Sequence, residues 1–265
     1  MKIRNLVITA ITSVFLLSAS FGLIPEAQGQ SSTAPKIIGQ STPFDASQKK
    51  AIEKIIGDYL RDNPEIIIES IRNMQARERR QQQDRGLKNL VTYREMIFND
   101  PTSPIGGNPQ GDVTIVEFFD YNCGFCKRVF PTIKKLLEED KNIRYVFKEF
   151  PILSPQSELA ARAALAAWRQ DKTKYVQLHT EFIRSTGGFT ESRIMRMAEK
   201  LGLNTAQLKK DMQSSSISQI IAGNRALAQR LGINGTPGFI IGNQIVPGAV
   251  DMVTLKQLVA DARKG

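Results

Sequence analysis

Cys123 and Cys126 are the only two cysteines of the 265-residue chain, and they stand three apart in Cys123-Gly124-Phe125-Cys126. A thiol attacks only as its thiolate. The ordinary cysteine pKa of about 8.5 falls when the sulfur sits at a helix N-terminus, where unpaired backbone N–H groups and aligned peptide dipoles favour negative charge. A second sulfur one helical turn deeper can then attack the first and expel a partner held in a mixed disulfide. On this basis Cys123 is the candidate nucleophile and Cys126 the resolving thiol. Three other uses of the pair compete. Zinc needs four ligands, and one pair plus the lone His179 falls short unless subunits share a site. A structural bridge across so short a loop stabilises little, and inert buried thiols are the third alternative. The strand-to-helix context around the pair favours the redox use.

That chemistry requires a helix tip at Cys123. Residues 113–119, Val-Thr-Ile-Val-Glu-Phe-Phe, are β-branched and aromatic and read as a buried strand. After the cysteines, Val129, Phe130, Ile133, Leu136 and Leu137 recur at helical spacing, and residues 143–147 read as a second strand. A strand, a helix and a strand in that span make a βαβ unit. Residues 155–232 read as helical throughout, in segments 158–168, 175–184, 191–201 after a Thr190 cap, 205–212 and 217–231. Phe239-Ile240-Ile241, a Gly242-Asn243 turn and Gln244-Ile245-Val246 then give a two-residue hairpin signal, followed by a helix over 253–262. The order βαβ, helical block, ββα is that of an α/β thioredoxin fold with a helical insertion.

Two further features converge on the sulfurs. Pro237, in Gly235-Thr236-Pro237 just before the Phe239 strand, fits a cis peptide in a tight turn better than a strand interior. Backbone beside it would be open to an extended substrate segment. Glu117 lies six residues before Cys123 in an otherwise apolar strand; buried, it would have a raised pKa and could accept the Cys126 proton. A surface-facing place on an edge strand is the alternative for Glu117.

The remaining chain sets compartment and organisation. Residues 1–29 combine Lys2 and Arg4, a diluted apolar stretch and Ala27-Gln28-Gly29, which reads as a secretory signal; an uncleaved anchor is the alternative. The formal charge is +10, but the basic residues are interleaved with acidic ones, so the charge is read as a solvated face rather than a nucleic-acid site. Residues 30–45 read as a flexible linker. From residue 46 to 85, Ile52, Ile55, Ile56, Tyr59 and Leu60, then Ile67, Ile68, Ile71 and Met74, form apolar stripes on two helices separated at Asn63-Pro64, Asn63 serving as N-cap. Such a pair is too small to bury a core alone. Its stripe must pack either on the main domain or on copies of itself as an oligomerisation stalk, the latter being the expectation. Residues 75–85 are polar and free of Gly and Pro, an exposed helical connector; 86–111 lead into the main domain at 112–265.

Residues 116–127 (Val-Glu-Phe-Phe-Asp-Tyr-Asn-Cys-Gly-Phe-Cys-Lys) and 231–239 (Leu-Gly-Ile-Asn-Gly-Thr-Pro-Gly-Phe) resemble the DsbA family of bacterial envelope thiol-disulfide oxidoreductases, over 113–262. Residues 55–67 resemble the N-terminal domain of the suppressor-of-copper-sensitivity protein C group, some members of which trimerise and act as disulfide isomerases. The resemblance implies Cys123 and Cys126 as the redox-active pair, Glu117 as the buried acid, and Thr236 and Pro237 as the substrate-binding cis-proline pair. It also implies a periplasmic location, no cofactor, protein substrates carrying thiols or disulfides, a membrane redox partner and a homo-oligomer, with a trimer as the family precedent. Family oxidases typically have proline and histidine between the cysteines, where this chain has Gly124 and Phe125, a departure that favours isomerase or reductase over oxidase. A dithiol oxidase is the nearest alternative. From another class comes a copper-binding envelope protein using the same thiolates, since soft sulfur suits Cu(I).

Overall fold

The computed structural model describes residues 44–264, so the expected signal at 1–29 and nearly all of the expected linker at 30–45 lie outside the described residues. The chain divides into two compact units between Asp62 and Asn63. In the first, helix α1 (Ala46–Asp62) starts at Asp45, whose carboxylate accepts from the Ser47 and Gln48 backbone N–H groups at 2.8 and 2.9 Å. Those are two of the donors that a helix start leaves unpaired. Its residues Ile55, Ile56 and Tyr59 are more than half exposed.

The second unit opens with α2 (Pro64–Thr92). Pro64 occupies the first turn as expected, but the Asn63 side chain does not make the capping bond. The helix changes character along its length. Ile67, Ile68, Ile71 and Met74 are about half exposed, whereas Gly86 and Leu90 are buried. The polar run 75–85 therefore does not end a helical region. It continues into a segment where Leu90 joins Leu227 and Leu231 in a core cluster. Gly86 makes this approach possible, because a Cβ there would stand 2.8 Å from the Leu231 carbonyl oxygen and 3.2 Å from Ile245 Cδ1.

A short helix α3 (Arg94–Phe98) leads to β1 (Ile105–Gly107), β2 (Val113–Phe119), α4 (Gly124–Glu139) and β3 (Ile143–Glu149). The insertion follows as α5 (Pro155–Gln170), α6 (Lys172–Arg184), α7 (Glu191–Lys200), α8 (Thr205–Met212) and α9 (Ser215–Leu231). Strands β4 (Gly238–Ile241) and β5 (Gln244–Pro247) and helix α10 (Met252–Lys264) close the domain. Caps explain where the insertion helices begin: Ser154, Asp171, Thr190 and Asn204 each accept a backbone N–H from the first turn that follows. Gly242, at φ 58°, makes the tight β4–β5 turn as expected.

The sheet order is β1-β3-β2-β4-β5. β2 and β3 run parallel, as a βαβ unit requires, and β4 pairs antiparallel with β2. β1 was not foreseeable from its apolar pattern. It is three residues, Ile-Gly-Gly, recruited by backbone pairing of Ile105 with Val146. The central strand β2 is buried on both faces. Ile115 and Phe119 enter the cluster with α4 and the insertion, while Val116 and Phe118 enter the opposite cluster with Leu90 and Leu227. The two-residue strand period puts Glu117 on the Ile115–Phe119 side, the side of α4.

Candidate active site

Cys123 is where β2 hands over to α4. A loop held by Asp120 makes the handover: the carboxylate accepts from Asn122 N at 2.7 Å and from Ile152 N and Leu153 N at 2.9 and 3.0 Å. The Asp120 carbonyl accepts from Cys123 N at 3.0 Å. Asn122 then ties the loop to the start of α5, donating to Ser154 Oγ and Ser157 Oγ at 2.8 and 3.0 Å. Cys123 thus falls at the N-cap of α4, where its sulfur accepts from Cys126 N at 3.4 Å.

The two thiols are free, and their environments drive their acidities apart. The Cys126 thiol donates toward Cys123, and together with the Thr236 side chain and the backbone N–H groups of Cys126 and Phe125 it outweighs burial and lowers the Cys123 pKa to about 5. Cys126, 1% exposed, is pushed far upward, first by burial and then by the neighbouring Cys123 and Glu117. At neutral pH the first sulfur is a thiolate and the second a thiol.

Glu117 is buried at 6% exposure on the central strand, which settles the edge-strand alternative against it. Burial raises its pKa to about 7, against the opposing hydrogen bond from Tyr145 Oη at 2.5 Å; the charge of Cys123 adds to the rise. A carboxyl near 7 close to a buried thiol can take up a proton at neutral pH and return it. On the other side of the nucleophile, the Thr236 carbonyl lies 3.1 Å from the Cys123 sulfur and accepts from it in the protonated, thiol form. The Thr236–Pro237 peptide is cis. The five residues singled out in sequence, Cys123, Cys126, Glu117, Thr236 and Pro237, therefore meet at one point.

Several neighbours were not singled out. Tyr145, the partner of Glu117, comes from β3, and only strand register could have named it. Tyr121, two residues before Cys123, donates to Glu149 Oε1 at 2.8 Å and contacts His179 Nδ1 at 3.1 Å; Tyr175 donates to the same carboxyl oxygen at 3.1 Å. Burial pushes the Glu149 pKa well above its ordinary value and lowers that of His179 to about 3, in both cases favouring the uncharged form. This network fixes the loop before Cys123 to the helical insertion. Phe125, 55% exposed, carries the Arg128 guanidinium 4.2 Å from its ring centre and forms the outer lip of the site.

Residues 114–260, which include all five site residues, match the model of the DSBA-like thioredoxin domain, and residues 48–81 match that of the copper resistance protein ScsC N-terminal domain. A thioredoxin-like oxidoreductase from Silicibacter pomeroyi DSS-3 is 45% identical with a TM-score of 0.62, covering 65% of this chain and 98% of that one. Proteus mirabilis ScsC in a transitional conformation is 28% identical with a TM-score of 0.62, covering 84% of this chain and 98% of that one. The probable disulfide bond formation protein D of Bacillus cereus is 28% identical over 163 residues, 57% of this chain and 76% of its own. A Na(+)/H(+) antiporter NhaA 1 of Salinispora arenicola is 27% identical over 173 residues, 64% of this chain; the match spans 26% of the antiporter's length.

Proposed function

The chain belongs to the DSBA-like thioredoxin family, and on that premise we propose that it is an exported thiol-disulfide oxidoreductase that isomerises or reduces disulfides in envelope proteins. The observation that carries this reading is the separation of the two thiols, one lowered to about 5 at a helix tip and one held neutral beneath it beside Glu117. The Cys123 thiolate attacks a client disulfide, forming a Cys123–client disulfide and releasing the other client sulfur as a thiolate that takes a proton from water. In isomerisation, a client thiolate then attacks the Cys123–client bond, regenerating the Cys123 thiolate with no net change in electrons. In reduction, Glu117 accepts the Cys126 proton and Cys126 attacks Cys123. The client leaves with two electrons gained, and the protein keeps the Cys123–Cys126 disulfide until a membrane redox partner reduces it.

The preference for isomerase or reductase over oxidase rests on Gly124 and Phe125, which stand where family oxidases typically carry proline and histidine. A nucleophile near 5 lies between the values of about 3.5 for a strong dithiol oxidant and about 7 for a reductant and favours neither, so the potential decides. The exposed Ile55, Ile56 and Tyr59 of α1 and Ile67, Ile68, Ile71 and Met74 of α2, in the segment matching the ScsC N-terminal model, support self-association, with a trimer as the candidate assembly. Export and a periplasmic location rest on residues 1–29 and on relatives such as the periplasmic thioredoxin-like protein of Salmonella enterica serovar Typhimurium.

The test is reactivation of a scrambled disulfide substrate by the reduced protein, with activity lost in Cys123→Ser, alongside the equilibrium potential against glutathione. A potential near −120 mV, roughly that of the strongest dithiol oxidants, overturns the isomerase preference. Tight Cu(I) uptake with no reactivation overturns the enzymatic reading altogether.

A further inference from the structure

A groove of about 940 Å³ opens beside the nucleophile, at the upper end of the range for ligand pockets. One wall is the segment 231–238 that carries Thr236 and Pro237, and a second is the β4–β5 turn and edge strand β5. Phe125 stands at its active-site end. The third wall is unexpected. It is the face of α2 bearing Arg79, Gln82, Gln83 and Leu87, in the stretch whose composition reads as a connector.

That wall is held in place. Asn89 Nδ2 donates to the Arg230 carbonyl at 2.5 Å, the Arg230 guanidinium lies 4.9 Å from the Tyr93 ring centre, and Gly86 abuts the Leu231 carbonyl. Gln82 lies over Gly232. The chemistry of the groove is one-sided. Leu87, Ile233, Pro237 and Ile245 supply apolar surface, and the amides of Gln82, Gln83 and Gln244 can both donate and accept. Among the lining residues Arg79 is the one charged side chain; it has no ion-pair partner among the described residues, and no carboxylate lines the groove. An edge strand opposite an amide-bearing helix suits an extended polypeptide, whose backbone pairs with polar groups along its length.

We propose that α2 is a specificity wall, and that Arg79 selects client segments carrying Asp or Glu beside the cysteine under attack. The inference rests on the thiol-disulfide exchange reading above and names the client chemistry of that same site. Arg79 is exposed, so an ion pair with the client is screened, and about a two- to fivefold preference is expected at low salt.

The experiment follows the second-order rate at which reduced full-length protein attacks two peptide mixed disulfides, in which the cysteine is flanked by three Glu or by three Lys. Hydroxyethyl disulfide, small and neutral, is the reference, and Lys200→Glu, on α7 and outside the groove, is the matched-charge control. The Glu peptide is expected to react faster, with the ratio collapsing at 1 M salt, vanishing in Arg79→Gln, inverting in Arg79→Glu and holding in Lys200→Glu. Hydroxyethyl disulfide is expected to react alike with every variant. Equal peptide rates in the natural chain, a ratio indifferent to Arg79, or a shift as large in Lys200→Glu each overturns the specificity wall while leaving the exchange reading standing. Failure to react with hydroxyethyl disulfide overturns both.

Discussion

Replacing Glu117 by Gln isolates the protonation of the buried acid, because the amide oxygen can keep the hydrogen bond from Tyr145 while the charge is lost. The carboxyl rises from 4.5 in an unfolded chain to about 7 in the folded one, with burial the largest cause. A raised acid pKa means that the folded state loses stability as pH climbs from the unfolded value through the folded one, since ionisation is easy only in the unfolded chain. At 1.36 kcal/mol per pKa unit, the ionisable carboxyl costs the folded state about 3 kcal/mol at pH 8 and only about 1 kcal/mol at pH 5. Glu117→Gln is therefore expected to gain on the natural chain by about 2 kcal/mol between pH 5 and pH 8, read as the difference in urea unfolding free energy at each pH. The measurement belongs on the oxidised protein, where no Cys123 thiolate contributes and burial still acts. A stability difference that stays flat from pH 5 to pH 8, or shrinks as pH rises, refutes the assignment of a high-pKa carboxyl to this position. The same variant carries a kinetic consequence. Without a carboxylate to take the Cys126 proton, release of the mixed disulfide is expected to slow by about 10²-fold, the lower end of general-base contributions.

Further outcomes follow from the same structure. Alkylation of the reduced protein is expected to follow a single ionisation near pH 5 at Cys123 with Cys126 inert, as read by iodoacetamide rates and peptide mapping; a midpoint above 8 contradicts the helix-tip environment. Lowering Cys123 from 9.0 to about 5 stabilises the dithiol form fully above pH 9 and not below pH 5, so at pH 7 it makes the couple more oxidising by about 60 mV, or about 3 kcal/mol, than one with ordinary thiols; the potential measured across pH 4–9 checks the sign. Burial raises the Glu149 pKa, so Glu149→Gln, which keeps an acceptor oxygen and cannot ionise, is expected to gain on the natural chain as pH rises, whereas Glu149→Ala leaves the Tyr175 hydroxyl without its acceptor and is expected to cost about 1–3 kcal/mol by urea unfolding. Gly86→Val, which drives a side chain against the Leu231 carbonyl, is expected to release the C-terminal half of α2 from the domain, visible as faster amide exchange across 79–92 with the sheet still protected.

What the sequence disclosed and what it withheld differ in physical kind. The nucleophile, its resolving partner and the proline loop were legible because each depends on local chemistry: a sulfur at a strand-to-helix junction, and a proline before a strand that cannot take it inside. Glu117 could be found as a charge in an apolar run, but its place at the centre of the sheet and not at an edge depends on the pairing of β2 with β3 and β4. Tyr145, Glu149 and β1 could not be found this way, because they act through register between strands far apart in the chain, and β1 has too few side chains to show a period. The α2 wall was hidden for the opposite reason. A surface meant to meet a polypeptide in water must itself be polar, so Arg79, Gln82 and Gln83 are compositionally indistinguishable from residues that face only solvent. The sole signal lay just past them, in Gly86, a glycine in the middle of a helix where it costs about 1 kcal/mol relative to alanine. At Gly86 a neighbour does come too close for a side chain, unlike at the mid-helix Gly223, and that neighbour is the carbonyl of Leu231, at the head of the segment that leads to Thr236 and Pro237.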